Sequence, residues 1–200
     1  MLNNKYIDLT DEELILLFQN DDKKNRNAYS ELALRYKDKL KSFIFRYTNE
    51  MAQAEDLAQD TLLKVYIKKD SYKPIAKFST WLYTIAQNLA KTELRKKKRR
   101  GTYRFSDLDK DDMEFIARSP EERTTGDEIG KINDDKIIHQ SLIELDDEFR
   151  NIIILRDIQE LSYDEVSKIL EIPLGTVKSR INRGRFKLKE IIKQKGVTIY

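Results

Sequence analysis

The chain of 200 residues contains no cysteine, one histidine, one tryptophan, three prolines and six glycines. Without cysteine it can form no disulfide, no thiolate metal site and no cysteine nucleophile. With a single imidazole, His139, a polar or half-buried structural position is expected rather than a metal or catalytic role. So few glycines and prolines leave little material for the tight turns of an all-β fold. Uninterrupted apolar runs are short, as at Ile152–Leu155, against the roughly 20 residues that a membrane-spanning helix requires. The start, MLNNKYIDLTDEEL, lacks a basic segment followed by an apolar core. A cytoplasmic protein without a secretory signal is therefore expected.

Charge is plentiful but unevenly distributed. The net charge of +3 conceals blocks of −3 (residues 1–25), +10 (26–100), −6 (101–135), −5 (136–173) and +7 (174–200). Two basic blocks separated by acidic ones suggest two surfaces for a polyanion, which the net value alone would not.

Helical periodicity dominates. Thr10-Asp11-Glu12-Glu13 forms a capping-box pattern ahead of a short helix to about Phe18. Tyr29, Leu32, Tyr36, Leu40, Phe43, Ile44 and Tyr47 make one apolar stripe, and Ala54, Leu57, Ala58, Thr61, Leu62 and Val65 make a second. Asp56, Gln59, Asp60 and Leu63 lie off the second stripe. Pro74 marks residues 69–77 as a loop. A long helix starts near Ser79 or Thr80, with Trp81, Leu82, Ile85, Ala86 and Leu89 inward. It ends in six successive bases, Arg95 to Arg100, before Gly101. Residues 101–135 lose the periodicity and collect acidic and small polar residues, which predicts a flexible acidic linker. The fold class expected is all-α, with two small helical domains at 10–100 and 136–195 joined by that linker.

The second domain carries the more specific pattern. Ser162-Tyr163-Asp164-Glu165 is another capping box, Glu171-Ile172-Pro173 ends its helix, and a basic helix follows from Leu174 or Gly175. Two helices joined by a tight turn, the second cationic, form a helix-turn-helix pattern. At 100° per residue, Leu174, Val177, Ile181, Gly184, Leu188 and Ile191 share one face. Thr176, Ser179, Asn182, Arg183 and Phe186 stand opposite, flanked by Lys178, Arg180, Arg185 and Lys187. Short polar groups at the helix start suit base edges, and flanking cations suit phosphates.

Ile172 to Arg185 (IPLGTVKSRINRGR) closely resembles a segment of bacterial RNA polymerase sigma factors of the extracytoplasmic-function type, and residues 155–165 resemble its lead-in. Residues 54–61 (AEDLAQDT) resemble the family's polymerase-binding helix, and residues 78–88 (FSTWLYTIAQN) its promoter-melting segment. The blocks fall in the family's order over roughly residues 10–195. One departure is Gly184 in place of the usual alanine, which weakens a helix by up to about 1 kcal/mol.

The resemblance implies a sigma factor that binds core RNA polymerase and directs it to promoter DNA. The duplex −35 element would be read by Thr176, Lys178, Ser179, Asn182, Arg183 and Arg185. The melted −10 strand would be read by Lys73, Lys77, Asn88, Lys91, Arg95 and Arg99. Asp56, Gln59, Asp60 and Leu63 would bind polymerase. An anti-sigma factor, in this family often membrane-bound, is the further partner implied. No cofactor and no catalytic residue are implied. Of the aromatics in the melting segment, Trp81 shares the buried stripe, and Tyr83 is the better candidate for an exposed stacking ring. The two elements lie about 25 base pairs, or roughly 85 Å, apart. A linker over 101–135 could extend to about 120 Å.

Two other readings compete. A free-standing dimeric helix-turn-helix regulator would account for 136–195 but leave the basic helix 79–100 and the Asp56 block without a role. A recombinase would need a nucleophile, for which Ser30 near Arg35 on a plain amphipathic helix is the faint candidate.

Overall fold

The computed structural model describes residues 4–20, 26–100 and 128–195, and every regular element among them is helical. After a 3-10 turn (Asn4–Tyr6), the N-terminal half comprises α1 (Asp11–Asn20), α2 (Arg26–Thr48), α3 (Met51–Ile67), a second 3-10 turn (Lys69–Ser71) and α4 (Phe78–Arg100). The C-terminal half comprises α5 (Glu128–Glu144), α6 (Asp147–Ile153), α7 (Tyr163–Leu170) and α8 (Leu174–Gln194). A π-helical turn (Ile154–Ile158) extends α6.

The caps read from the sequence are formed. Thr10 N donates to Glu13 Oε2 at 2.7 Å while Glu13 N donates to Thr10 Oγ1 at 3.2 Å, so α1 begins on a reciprocal pair that satisfies two otherwise unpaired backbone donors. The α2 stripe is buried as expected, with Tyr29 half-buried, and packs against α1, α3 and α4. Arg35 of α2 fastens the segment preceding α1. Its guanidinium donates to the carbonyls of Tyr6, Ile7 and Leu9 and to the carboxylates of Asp11 and Glu31.

The end of the expected linker needs correction. Helix α5 begins at Glu128, so residues 128–135 are helical rather than linker. Ile129 and Ile132 are an isolated i, i+3 pair among acidic and small polar residues, too little to mark a helix from the sequence. The remainder of the expected linker, 101–127, lies outside the described residues.

The two halves pack on each other. Helix α7 lies against α4, α5 lies against α2, and the buried apolar side chains of both halves form one continuous cluster. Within the C-terminal half, α8 crosses α6 at Gly184. A β-carbon there would sit 3.1 Å from Ile153 Cγ1 and 3.3 Å from Cδ1, so the missing side chain permits the close crossing. Gly184→Ala should therefore fail to deliver the roughly 1 kcal/mol of helix propensity it offers, because fully buried Ile153 must move aside. Thermal unfolding tests this. A rise in Tm of about 4 °C or more would show that the crossing yields freely.

Candidate nucleic-acid interface

Helix α7 starts on a complete capping box, with Ser162 N donating to Glu165 Oε2 at 2.8 Å and Glu165 N donating to Ser162 Oγ at 3.3 Å. It ends at Glu171, whose φ of 56° is left-handed. That single residue reverses the chain. The Ser167 hydroxyl then holds the turn by donating to Ile172 O at 2.6 Å. Pro173 leads straight into α8.

Helix α8 buries Val177, Ile181, Gly184 and Ile192 and leaves Leu188 and Ile191 half-buried, whereas Leu174 is exposed. The opposite face presents Lys178, Asn182, Arg183, Arg185 and Phe186 to solvent, with Thr176 and Ser179 half-buried at its start. Ser179 Oγ donates to Thr176 O at 3.1 Å. The flanking cations divide into two groups. Arg185 grips Asp157 in a two-pronged pair at 3.0 and 2.5 Å, Arg180 meets Glu148 at 3.0 Å, and Lys187 meets Asp146 at 2.7 Å. These three brace α8 against its scaffold. Lys178 and Arg183 pair with none of the described residues. The Asp157 pair keeps the Arg185 guanidinium above its ordinary range.

The loop preceding α4 is held from beneath by α1. Gln19 Nε2 donates to Lys69 O at 2.7 Å and Tyr72 O at 3.0 Å, and Lys69 Nζ donates to Phe18 O at 3.1 Å. Glu12 Oε1 accepts from Phe78 N at 2.8 Å, capping the first turn of α4. Lys73, Lys77, Asn88, Lys91, Arg95 and Arg99 are all exposed. Beside the loop, a cavity of about 470 Å³ is bounded by Tyr72, Lys73, Ile75, Ala76, Trp81 and Lys168.

Two aromatic expectations resolve differently. Trp81 packs between Tyr72 and Phe78, at centroid distances of 5.6 and 6.1 Å, in keeping with its place on the buried stripe. Tyr83 is not an exposed stacking ring. It is 3% exposed, rests on Phe43, and donates its hydroxyl to Gln159 Oε1 at 2.5 Å. The ring packs against Tyr36 and Phe43 of α2 in its own half, and only its hydroxyl reaches the C-terminal half.

His139 is likewise more enclosed than expected. Its ring stacks on Phe45 at 4.7 Å with 9° between planes, and Nε2 lies 2.9 Å from Asn49 Oδ1. Burial, aided by the charges of Arg46 and Arg150, pushes its pKa down to about 3. The residue is a neutral structural element. On α3, Asp56, Gln59, Asp60 and Leu63 are all exposed on the face away from the core.

The scaffold residues Glu12, Gln19, Arg150 and Gln159 escaped the sequence reading. Only Glu12 carried a hint, as an acid in a first turn. The others act through contacts distant in sequence or through geometry that no local pattern encodes.

An exposed cationic helix set on a helix-turn-helix, together with a separate basic helix in an all-α frame, is the arrangement of a DNA-binding protein. Residues 32–100 match the family Sigma-70 region 2, and residues 135–188 match Sigma-70, region 4. The chain is 36% identical to the ECF RNA polymerase sigma factor SigW of Bacillus subtilis, over 84% of its own length and 90% of that protein's. It is 33% identical to the ECF RNA polymerase sigma-E factor of Escherichia coli strain K12, over 88% and 91%. Among solved structures, the sigma factor RpoE of Bartonella quintana, held in complex with the anti-sigma factor NepR, superposes with a TM-score of 0.64 at 27% identity. That likeness covers 82% of this chain and 96% of the other. The chain belongs to the ECF-type RNA polymerase sigma factors. It therefore acts in promoter-specific transcription initiation and is not an enzyme, the polymerase performing the chemistry.

Proposed function

We propose that α8 reads the −35 element as duplex while the loop 69–77 and α4 hold the −10 element as a melted strand. The observation that carries this is the placement of two exposed basic surfaces on separate helices, α8 and α4, in the two family-matched regions. In α8, Lys178 and Arg183 have side chains committed to no scaffold partner. Thr176, Ser179 and Asn182 offer short hydrogen-bonding groups toward the major groove, and Arg185 contacts phosphate only if it shares or leaves Asp157. In α4, Asn88, Lys91, Arg95 and Arg99 follow one another by helical turns, a track of charge for a single-stranded backbone. The cavity beside Trp81, with Lys73 at its edge, suits an unstacked base, whose extraction costs a few kcal/mol that these contacts offset.

Asp56, Gln59, Asp60 and Leu63 on the outer face of α3 are assigned to core polymerase. The neighbouring Ile67, 67% exposed, supports this assignment, since it adds apolar area suited to a protein partner. The Bartonella quintana relative is held by an anti-sigma factor, and we extend that mode of control to this chain. Residues 10–100, the linker up to 127 and the helices that follow would then serve melting, tethering and duplex reading in turn.

Transcription in vitro with sigma-free core polymerase and a promoter library tests the reading. Initiation at a defined promoter class dependent on this chain is expected; failure to bind core polymerase would refute it. Arg183→Ala should weaken binding to the selected −35 duplex about tenfold, in line with the 1–3 kcal/mol of a base-specific contact. Lys91→Ala should leave duplex affinity intact but slow open-complex formation and lower the salt dependence of strand binding by about one charge. Unchanged behaviour in either variant would remove that residue from its assigned surface.

A further inference from the structure

A second cavity, of about 220 Å³, lies where α2, α4 and α6 meet. Tyr47 of α2, Lys91, Leu94 and Arg95 of α4, and Asp147 and Asn151 of α6 line it. That volume exceeds manyfold the roughly 10–15 Å³ that one buried water requires, so the cavity holds more than a single bridging solvent molecule.

Tyr47 gives the cavity a buried polar group with nothing to bond. The side chain is 3% exposed, and its hydroxyl has no hydrogen-bond partner among the described residues. A hydroxyl buried in this way is costly until an acceptor reaches it. Burial raises its pKa above the ordinary range, against the pull of the Arg150 charge. It therefore keeps its proton and can donate.

The surrounding charges define the acceptor that fits. Lys91 and Arg95 are exposed, and neither has an ion-pair partner among the described residues. Asp147 is the one carboxylate in the lining, and Arg150 already stands 3.5 Å from it. Positive charge is thus in excess. The Asn151 carboxamide, half-buried and unpaired among the described residues, adds an amide donor. A guanidinium fork, an ammonium, a phenolic hydroxyl and a carboxamide make a donor set for a tetrahedral oxyanion.

We propose that this cavity is a binding site for a small phosphate-bearing ligand, either free phosphate or the terminal group of a phosphate monoester. Tyr47 and Asn151 donate to its oxygens, while Lys91 and Arg95 neutralise its charge. Walls from three helices leave room for a terminal phosphate, whereas a continuous strand must both enter and leave. The site does not depend on the assignment of α4 to the −10 strand, although Lys91 and Arg95 belong to both.

Titration calorimetry of the full-length chain with inorganic phosphate and with ribose 5-phosphate, at constant ionic strength in chloride, tests the proposal. Saturable binding of one ligand per chain is expected. Tighter binding of ribose 5-phosphate would mark a monoester as the ligand, and equal binding would mark phosphate alone. Tyr47→Phe keeps the ring and removes the hydroxyl, and it should weaken binding about tenfold, as expected for a hydrogen bond to a charged group. Without phosphate it should melt no lower than the unmodified chain, because it deletes an unpaired buried hydroxyl. A lower melting temperature would mean that the hydroxyl already has a partner, and would count against the site. Asn151→Ala should likewise weaken binding. Absence of saturable binding would overturn the proposal and leave a water-filled cavity. Undiminished affinity in Tyr47→Phe would also overturn it, by showing diffuse attraction to the basic helix.

Single-stranded DNA without terminal phosphates distinguishes the two readings. Its affinity should be unchanged by Tyr47→Phe. A loss as large as that for phosphate would mean that the cavity takes the strand backbone, and the proposal would fail. Lys91→Ala should weaken phosphate binding about tenfold whatever it does to the strand, so failure of the −10 assignment leaves the site standing.

Discussion

Arg150→Ala should destabilise the C-terminal half by about 3–5 kcal/mol, the range expected when a buried, fully paired cation is removed and its partners are left behind. Arg150 is 4% exposed. Its guanidinium donates to Leu142 O at 2.8 Å, Ile143 O at 2.5 Å and Leu145 O at 2.8 Å, with Asp147 beside it at 3.5 Å. These carbonyls lie in the last turn of α5 and just beyond it; Leu142 O also accepts from Leu145 N at 3.2 Å, and Arg150 supplies donors that a helix terminus otherwise lacks. One side chain of α6 therefore caps α5 and fixes the angle between them, and α6 in turn supports α8. Arg150→Lys should recover little, because a single ammonium cannot reproduce a planar fork that reaches three oxygens. Urea unfolding measures both. A loss below about 1 kcal/mol for the alanine variant would mean that the α5 terminus finds other donors.

Acidification supplies the second large effect. The pKa of His139 in the folded chain, about 3, lies below the unfolded value of about 6.5. The unfolded state therefore binds the proton that the native state refuses. The stabilisation is complete above pH 6.5 and is lost as the pH falls, reaching about 2 kcal/mol by pH 5 from this group alone. Burial is the main cause, and the charges of Arg46 and Arg150 add to it; the Asn49 Oδ1 contact at 2.9 Å is too little to offset them. Unfolding free energies at pH 7 and pH 5 should differ by about 2 kcal/mol more in the unmodified chain than in His139→Gln. Equal differences would show that the ring reaches solvent before it titrates.

How much of this was legible in the sequence varies from element to element. The α2 and α8 stripes, both capping boxes and the turn after Leu170 were readable because each depends on residues within about four positions of one another. Exposure of Asp56, Gln59, Asp60, Lys91, Arg95 and Arg183 followed from the same phasing. The start of α5 was misplaced because Ile129 and Ile132, an isolated pair among acidic and small polar residues, are too little to mark a helix. Tyr83 was misjudged because its burial depends on Tyr36 and Phe43 of α2 and on Gln159, contacts distant in sequence. Phe45 and His139 belong to the same class. Each lies outside the stripes read from the sequence, and the two rings stack on one another across the halves.

The sequence by itself determined an all-α chain with a basic recognition helix and a second cationic helix, and its motifs carried the family resemblance. Those properties are encoded in short-range spacing, where one helical turn relates each residue to its neighbours. Only the tertiary structure decided which cations are committed to scaffold acids, which carbonyls Arg150 caps, and that the C-terminal half lies on the surface assigned to DNA. Such contacts join residues as far apart as Thr80 and Glu165 or Asn49 and His139. They depend on how whole helices pack, which no local period in the chain records.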